Sequence, residues 1–147
     1  MAEVSVRPLA PEDRAAWGAL WHDYLAFYAT SVDGSVYDVA FERLLSGRPG
    51  EFRGLIALAD GRPVGLTHFL FHRHGWRIEP VVYLQDLYVA PEARGTGLGR
   101  ALIEAVYAEA DAAGSPSVYW LTQEGNATAR RLYDRLARAT DFIKYQR

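Results

Sequence analysis

Apolar positions near the start of the chain recur at two different spacings. Val4 and Val6 alternate with polar neighbours, which is typical of a half-buried strand, and Pro11 suits the first turn of a helix. The helix that follows has one apolar stripe, made of Trp17, Leu20, Trp21, Tyr24, Leu25 and Tyr28. After a turn-rich stretch, residues 31–35, a second helical pattern runs to Gly47. The chain is therefore predicted to begin with one strand and two helices.

The middle of the chain is predicted to form strands. Phe52 to Ala59 and Pro63 to Phe71 are apolar runs joined by Asp60-Gly61, a dipeptide that closes hairpins. Val81 to Val89 is predicted as a further strand, and the helical spacing returns from Leu98. These segments indicate a sheet built from strands that follow one another along the chain.

The last third of the chain alternates between the two patterns. The helix that starts at Leu98 is predicted to end at Gly114, and Val118 to Leu121 is predicted as a strand. A helix from Asn126 to about Ala137 follows, with Phe142 to Gln146 as a last short strand. This order predicts a mixed α/β (α+β) fold, in which helices interrupt a largely antiparallel sheet.

Composition and charge favour one globular domain over residues 1–147. The 16 basic and 18 acidic side chains leave a formal charge of -2, which gives no general attraction for nucleic acid or an anionic membrane. No segment approaches the length of a membrane span, and without cysteine there is no disulfide, thiolate metal site or acyl-cysteine intermediate. We expect a cytoplasmic protein with no metal, nucleic-acid or membrane partner.

The most informative segment runs from Tyr83 to Arg100, where a strand passes through a short loop into a helix. The first N–H groups of a helix lack internal partners and form an anion site together with the helix dipole. Glycines at 95, 97 and 99 allow phosphate oxygens to approach the main chain, and Arg94 and Arg100 add positive charge. The spacing is neither the dinucleotide fingerprint nor a Gly-Lys-Ser/Thr phosphate loop. It favours a phosphate cradle of another kind.

An arginine followed by Gly-x-Gly-x-Gly, after a strand ending in Leu-Tyr-Val, resembles the acetyl-CoA motif of the GNAT superfamily of N-acetyltransferases. Asn126 to Tyr133 resembles a later motif of the same family, and the order of elements also agrees. The segments at residues 83–89 and 142–145 are most similar to the branch with spermidine/spermine and small histone- or amino-acid-acetylating enzymes. The resemblance implies a single-domain GNAT-like fold, a twisted mixed sheet flanked by about four helices.

The same resemblance implies which groups contact acetyl-CoA. Pantetheine would lie along the strand end, the glycine loop would hold the pyrophosphate, and Tyr133 would face the sulfur as a general acid. The implied cofactor-binding residues are Leu87, Tyr88, Val89, Arg94, Gly95, Thr96, Gly97, Leu98, Gly99, Arg100 and Asn126. Because Asn126 and Tyr133 are almost two helical turns apart, both can face one cleft.

The chain departs from the polyamine-acetylating relatives at the position expected for the general base, where it has Gln85. The adjacent carboxylate, Asp86, is the candidate base, acting through water. On a regular strand the two side chains would leave on opposite faces, unless a bulge re-aims one of them. Glu124, His68 and ordered water are the alternative bases. The usual glycine after the last helix is also absent, which affects the predicted final hairpin.

Each candidate residue also has a purely structural interpretation. Tyr133 lies on an apolar helix face and suits a core position, Asn126 suits a helix cap, and Asp86 suits a structural carboxylate. Tyr24 and Tyr28 suit core packing or the lining of an acceptor pocket. His68, His72 and His74 share strand parity, but no second cluster with metal-ligand spacing accompanies them.

The function predicted from these features is transfer of an acetyl group from acetyl-CoA to a primary amine of a small molecule, polyamine or amino-acid-like. Direct attack in a ternary complex is favoured because no cysteine can carry the acetyl group. The alternatives are a protein or peptide lysine or N-terminal acetyltransferase, and a non-catalytic acyl-CoA-binding regulator. A homodimer is also expected from the resemblance, with the strand Phe142 to Gln146 as its pairing edge.

Overall fold

A five-stranded sheet forms the middle layer of the computed structural model, which describes residues 2–147. The strands follow one another across the sheet in chain order. They are β1 (Val4–Pro8), β2 (Arg53–Ala59), β3 (Arg62–His72), β4 (Val81–Val89) and β5 (Val118–Tyr119). Strands β1 to β4 pair antiparallel, whereas β5 runs parallel to β4. The predicted mixed, largely antiparallel sheet is confirmed.

Helices cover both faces of this sheet. They are α1 (Arg14–Phe27), α2 (Gly34–Ser46), α3 (Leu98–Ala112) and α4 (Ala127–Leu136). Ile56 of β2 packs with α1 and α2, while its neighbours Leu55 and Ala57 pack with α3, as the alternation of side chains along a strand requires. Helix α4 adds partly buried side chains to the α3 side. No helix among residues 2–147 is long and apolar enough to cross a bilayer.

The turns and helix ends follow the predicted local chemistry. Asp60 and Gly61 both adopt positive φ, at 50° and 76°, in the tight turn between β2 and β3. Gly47 ends α2 in the left-handed conformation, with φ of 66°, as its position after the apolar pattern predicts. Both sites confirm turn assignments that depend only on neighbouring residues.

Strand β4 is irregular at its centre. In its register with β3, His68 lies opposite Asp86 and Phe69 opposite Leu84, so Gln85 has no opposing residue. This is a β-bulge, which bends the strand and changes the direction of the side chains around it. Beside β5 the pairing is brief, since it covers only Val82 and Tyr83 of β4. Beyond Tyr83 this edge of β4 is therefore open.

The strand predicted over Phe142 to Gln146 is wrong. The described residues contain no strand after α4, and the side chains of Phe142, Ile143 and Tyr145 are 80%, 75% and 89% exposed. A strand requires a neighbour for its backbone groups, and β5 is only two residues long, shorter than the predicted Val118 to Leu121. The apolar side chains of the tail thus have no partner strand among residues 2–147.

Candidate active site

Two cavities meet at the bulge of β4. The larger, about 370 Å³ in volume, lies between α1, α2 and the sheet, and we call it the α2 cavity. Its lining residues are Trp21, Ser35, Val36, Val39, Ala40, Arg43, Leu44, Phe52, His68, Gln85 and Asp86. The smaller, here the tyrosine cavity, is lined by Tyr24, Tyr28, Leu84, Gln85, Leu87, Trp120, Leu121 and Tyr133. Gln85 lines both, so the bulge is the junction between the two spaces.

The bulge places two adjacent side chains at one cavity. Residues 85 and 86 would leave a regular strand on opposite faces, but both Gln85 and Asp86 line the α2 cavity. The bulge that Asp86 requires in order to act beside Gln85 is therefore present. The side chain of Asp86 is 13% exposed, so it is largely buried at the cavity wall.

A buried chain of hydrogen bonds holds the Asp86 carboxylate. The indole Nε1–H of Trp17, which is fully buried, donates to Nε2 of His68 at 2.9 Å. Since an indole can only donate, Nε2 must accept, and the proton of the neutral ring lies on Nδ1. Nδ1 then donates to Oδ2 of Asp86 at 2.8 Å. The core of α1 thereby orients the candidate base through His68.

Three tyrosines meet in the tyrosine cavity, and all are held in their protonated form. Burial, reinforced by nearby Tyr28, raises the pKa of the Tyr133 hydroxyl above its ordinary value. Burial also raises the pKa of Tyr24, and the negative charge of Asp86 adds to the shift. The ring of Tyr133 packs edge-on against the ring of Trp120, with 5.4 Å between the ring centroids. Tyr133 therefore combines a core contact with a position on the cavity wall, where it can donate a proton.

The open edge of β4 presents main-chain donors. The amide of Ala90 donates to the carbonyl of Val64 on β3, at 2.8 Å. Because successive amides of a strand point to opposite sides, those of Leu87 and Val89 face away from β3, toward the open edge. The side chain of Tyr88 is buried under α1 and α2 and its amide faces β3, so this residue presents no donor at the open edge. The edge can thus bond an extended ligand alongside the tyrosine cavity.

The loop before α3 is the candidate anion cradle. Gly95 and Gly97 adopt positive φ, at 77° and 83°, and a Cβ added at either meets no atom within 4 Å. Among residues 2–147, no backbone carbonyl accepts a hydrogen bond from the amides of residues 95–100, and the first helical bond runs from Ala101 to Gly97. Free amides at the positive end of a 15-residue helix, beside an open space, suit a pyrophosphate group.

Several side chains of this loop have partners within the chain. Nε of Arg94 donates to the carbonyl of Val89 at 3.0 Å, and Arg100 pairs with Glu104 at 2.6 Å. Leu98 is buried in the core, and the hydroxyl of Thr96 donates to the carbonyl of Ala93. The free main-chain amides are therefore the candidate donors of this loop, and both arginines lie beside them with a partner already in the chain.

Two residues assigned to the cofactor also hold α4 in place. A Cβ at Gly99 would lie 3.2 Å from Cδ2 of Leu132, so this glycine permits close packing of α3 against α4. Asn126 caps α4, since its Oδ1 accepts from the amide of Ala129 at 3.4 Å. The cap at Asn126 was one of the roles predicted from the sequence. The packing role of Gly99 depends on Leu132 of another helix and is not visible in its own segment.

The three histidines with a common strand parity serve separate purposes. His68 holds Asp86, His72 bonds the hydroxyl of Tyr119 at 2.7 Å, and His74 accepts from the amide of Trp76 at 3.1 Å. Within residues 2–147, no group of three or more His, Cys, Asp or Glu side chains is placed to hold a metal ion. The pairing of His68 with Asp86 was missed because it spans two strands and depends on the bulge.

Comparison with known proteins agrees with this geometry. Residues 15–137 match the Acetyltransferase (GNAT) family. The chain belongs to the GNAT family. It is therefore an acetyl-CoA-dependent N-acetyltransferase, as the cradle motif predicted, and the fold expected for that family is the one observed.

Individual relatives differ in the acceptors that their names give. The chain is 38% identical over 146 residues to the D-amino-acid N-acetyltransferase HPA3 of Saccharomyces cerevisiae, covering 98% of this chain and 90% of the relative. It is 31% identical over 111 residues to an aminoglycoside N(6')-acetyltransferase type 1 of Stenotrophomonas maltophilia, covering 71% and 65%. A solved structure of AAC(6')-Iy with a CoA-linked acetylneamine bisubstrate analogue has a TM-score of 0.85 at 20% identity, covering 99% and 97%.

The cradle can be tested at Gly97. Replacement by valine should weaken acetyl-CoA binding about tenfold or more, equivalent to about 1.4 kcal/mol, because the side chain fills the open space and opposes the positive φ. Titration calorimetry measures the affinity. The matched control is Gly114→Val, since Gly114 has a similar φ of 69° in open space at the other end of α3. Equal affinity in Gly97→Val and the wild type would contradict the cradle assignment.

Proposed function

We propose that this GNAT enzyme transfers the acetyl group of acetyl-CoA to a primary amine of a small molecule by direct attack in a ternary complex. The observation that carries the proposal is the placement of a carboxylate and a tyrosine on the two cavities that meet at Gln85. Asp86 serves the α2 cavity as base, and Tyr133 serves the tyrosine cavity as acid. An acceptor and a thioester can then meet at the bulge between them.

The size of the α2 cavity supports a small acceptor. Its volume of about 370 Å³ is at the lower end of the range of roughly 300–1,000 Å³ found for small-molecule pockets. The relatives named for D-amino-acid and aminoglycoside acetylation also take small amines. An amino-acid-like or polyamine acceptor is favoured over a protein chain on these grounds.

The acceptor amine must lose a proton before it attacks. An alkylammonium has a pKa of about 10.4 and is almost wholly charged at neutral pH. Asp86 lies on the wall of the α2 cavity, and His68 holds one carboxylate oxygen through Nδ1–H. In this scheme the carboxylate attracts the ammonium, takes its proton directly or through one water, and stays in position throughout.

The rest of the site binds and orients the second substrate. When bound, acetyl-CoA supplies an acetyl group on an activated thioester. The amides of residues 95–100 hold the pyrophosphate, and the open edge of β4 holds the pantetheine arm. The amide of Leu87 donates to the thioester carbonyl oxygen, and the Tyr133 hydroxyl donates its proton to the departing sulfur. The raised pKa of Tyr133 keeps that proton on the phenol until it is needed.

Tyr133 can be tested by removing its hydroxyl. Tyr133→Phe should lower turnover by roughly one to four orders of magnitude, the range for loss of a positioned acid, with acetyl-CoA affinity little changed. Steady-state kinetics and calorimetry measure both quantities. Tyr107→Phe is the matched control, because the Tyr107 hydroxyl bonds the carbonyl of Leu136 and lines neither cavity. Wild-type turnover in Tyr133→Phe would return this residue to a structural role.

Asp86 can be tested through the pH dependence of the rate. Asp86→Asn should lower turnover near neutral pH by roughly two to four orders of magnitude. Activity should recover as the pH rises toward about 10.4, because the free amine then forms without a base. Asp38→Asn, at an exposed carboxylate on α2, is the control. An unchanged pH profile in Asp86→Asn would exclude Asp86 and leave Glu124, His68 or ordered water as the base.

We also propose that the enzyme is a homodimer. The exposed apolar side chains of Phe142, Ile143 and Tyr145 lie on a tail that pairs with no strand in the part of the chain that the structure describes, and a second copy can cover them. Light scattering should give twice the chain mass, and a chain that ends at Asp141 should be monomeric. A monomer at high concentration, with and without acetyl-CoA, would refute the dimer.

A further inference from the structure

The charges on the wall of the α2 cavity are of opposite sign. Asp86 supplies the negative charge from β4, and Arg43 supplies the positive charge from α2. The other lining residues are apolar or neutral, with His68 in the neutral form that accepts from Trp17. A ligand with one positive and one negative group is thus complementary to this cavity.

Arg43 lies on the side of α2 that faces the cavity. It follows Val36, Val39 and Ala40 at the spacing of one helix face, and all four residues line the cavity. Its side chain is half exposed, which leaves the guanidinium accessible to a ligand.

The guanidinium of Arg43 makes no close hydrogen bond within residues 2–147. Its nearest carboxylate contact is 3.9 Å, from Nε to Oε1 of Glu51, which is too long for a hydrogen bond. By contrast, Arg7, Arg14 and Arg48 each have a carboxylate oxygen at 2.7 to 3.0 Å. An arginine can bind a carboxylate through two parallel N–H groups, and at Arg43 these groups are uncommitted.

Trp21 supplies an independent observation. Its indole Nε1–H is buried and has no acceptor among residues 2–147, although the residue lines the α2 cavity. The neighbouring Trp17, which stacks on Trp21 at 5.1 Å, bonds His68 with the same group. A buried donor without a partner is costly, and a ligand oxygen in the cavity would remove that cost.

We infer that Arg43 and Trp21 form a subsite for the carboxylate of an amino-acid acceptor, with the α-amine directed toward Asp86. The assignment rests on the proposed function for the amine end of the cavity. Both groups are pure donors, so a carboxylate satisfies them, whereas a second ammonium would be repelled by Arg43. The apolar side chains of Val36, Val39 and Phe52 would then contact the aliphatic or aromatic side chain of the acceptor amino acid. The acceptor is accordingly a zwitterion and not a polyamine.

The test compares amino acids with their decarboxylated amines. D- and L-leucine, isopentylamine and spermidine are assayed for CoA release with the wild type, Arg43→Ala and Arg48→Ala. The wild type should favour one leucine enantiomer over both amines in kcat/KM. Arg43→Ala should lose about ten- to hundredfold in kcat/KM for leucine, mainly through KM, and keep its rate with isopentylamine. Arg48→Ala should match the wild type, since Arg48 pairs with Glu42 outside the cavity.

Trp21→Phe gives a second measurement that retains an aromatic ring but removes the indole donor. It should also raise KM for leucine and leave KM for isopentylamine unchanged. The inference is overturned if isopentylamine or spermidine equals leucine in the wild type. It is likewise overturned if Arg43→Ala lowers the rates with leucine and isopentylamine by the same factor, because Arg43 would then support the fold or the chemistry and not the carboxylate.

Binding without turnover separates this inference from the proposed function. Leucine and isopentylamine are titrated into each variant by saturation-transfer NMR in the absence of acetyl-CoA. Leucine binding that depends on Arg43, with no transfer in the full assay, would support the subsite and refute the amine acetyltransferase. Transfer to amines that is insensitive to Arg43 would support the acetyltransferase and refute the subsite.

Discussion

The site depends on the unequal pairing of the two edges of β4. One edge is bonded along its length to β3, whereas the other is bonded to β5 at only two positions. Backbone amides in a protein interior need partners, so the unpaired amides beyond Tyr83 must meet solvent or a ligand. Because β4 and β5 pair at only two positions, a space remains beside β4, and Tyr133 and Leu87 both line it. The proposed cofactor groove and the proposed acid position therefore have one structural cause.

The bulge at Gln85 adds the second half of the arrangement. Without it, the side chain of residue 86 would point away from its neighbour, and the carboxylate could not share a cavity wall with Gln85. His68, opposite Asp86 in the register, then bonds it from the adjacent strand. The packing of α1 reaches this pair through Trp17, whose ring is buried in the core while its N–H takes part in the polar chain. The contacts that pack α1 into the core therefore also orient the Asp86 carboxylate.

Features that depend on neighbouring residues were predictable from the sequence. The Asp60-Gly61 turn, the end of α2 at Gly47 and the cap at Asn126 each follow from local backbone chemistry, and the structure has all three. The order of the four helices and of β1 to β5 followed from apolar spacing, whereas the strand predicted after α4 is absent from the described residues. The glycine cradle was also visible, because its signal lies in one short stretch between a strand and a helix.

Features that require distant residues were not predictable in this way. The bulge exists only in the register between β3 and β4, and the partner of Asp86 is 18 residues away along the chain. Gly99 was assigned to phosphate contact, since nothing in its own segment shows Leu132 packed above it. The tail from Phe142 is rich in apolar residues, but an apolar segment cannot by itself supply the neighbour that a strand requires.

The two cavities are built from different parts of the chain. Apart from β3 and β4, the α2 cavity is lined by residues before β3, whereas the cradle, α4 and most of the tyrosine cavity come from residues after β4 begins. The two cavities share Gln85, at the bulge. Substitutions on α2 can therefore accumulate without altering the groups proposed to bind acetyl-CoA. Such a division allows descendants of one ancestral enzyme to acquire new acceptors by changing a short, early segment of the gene while the later segment stays under constant selection.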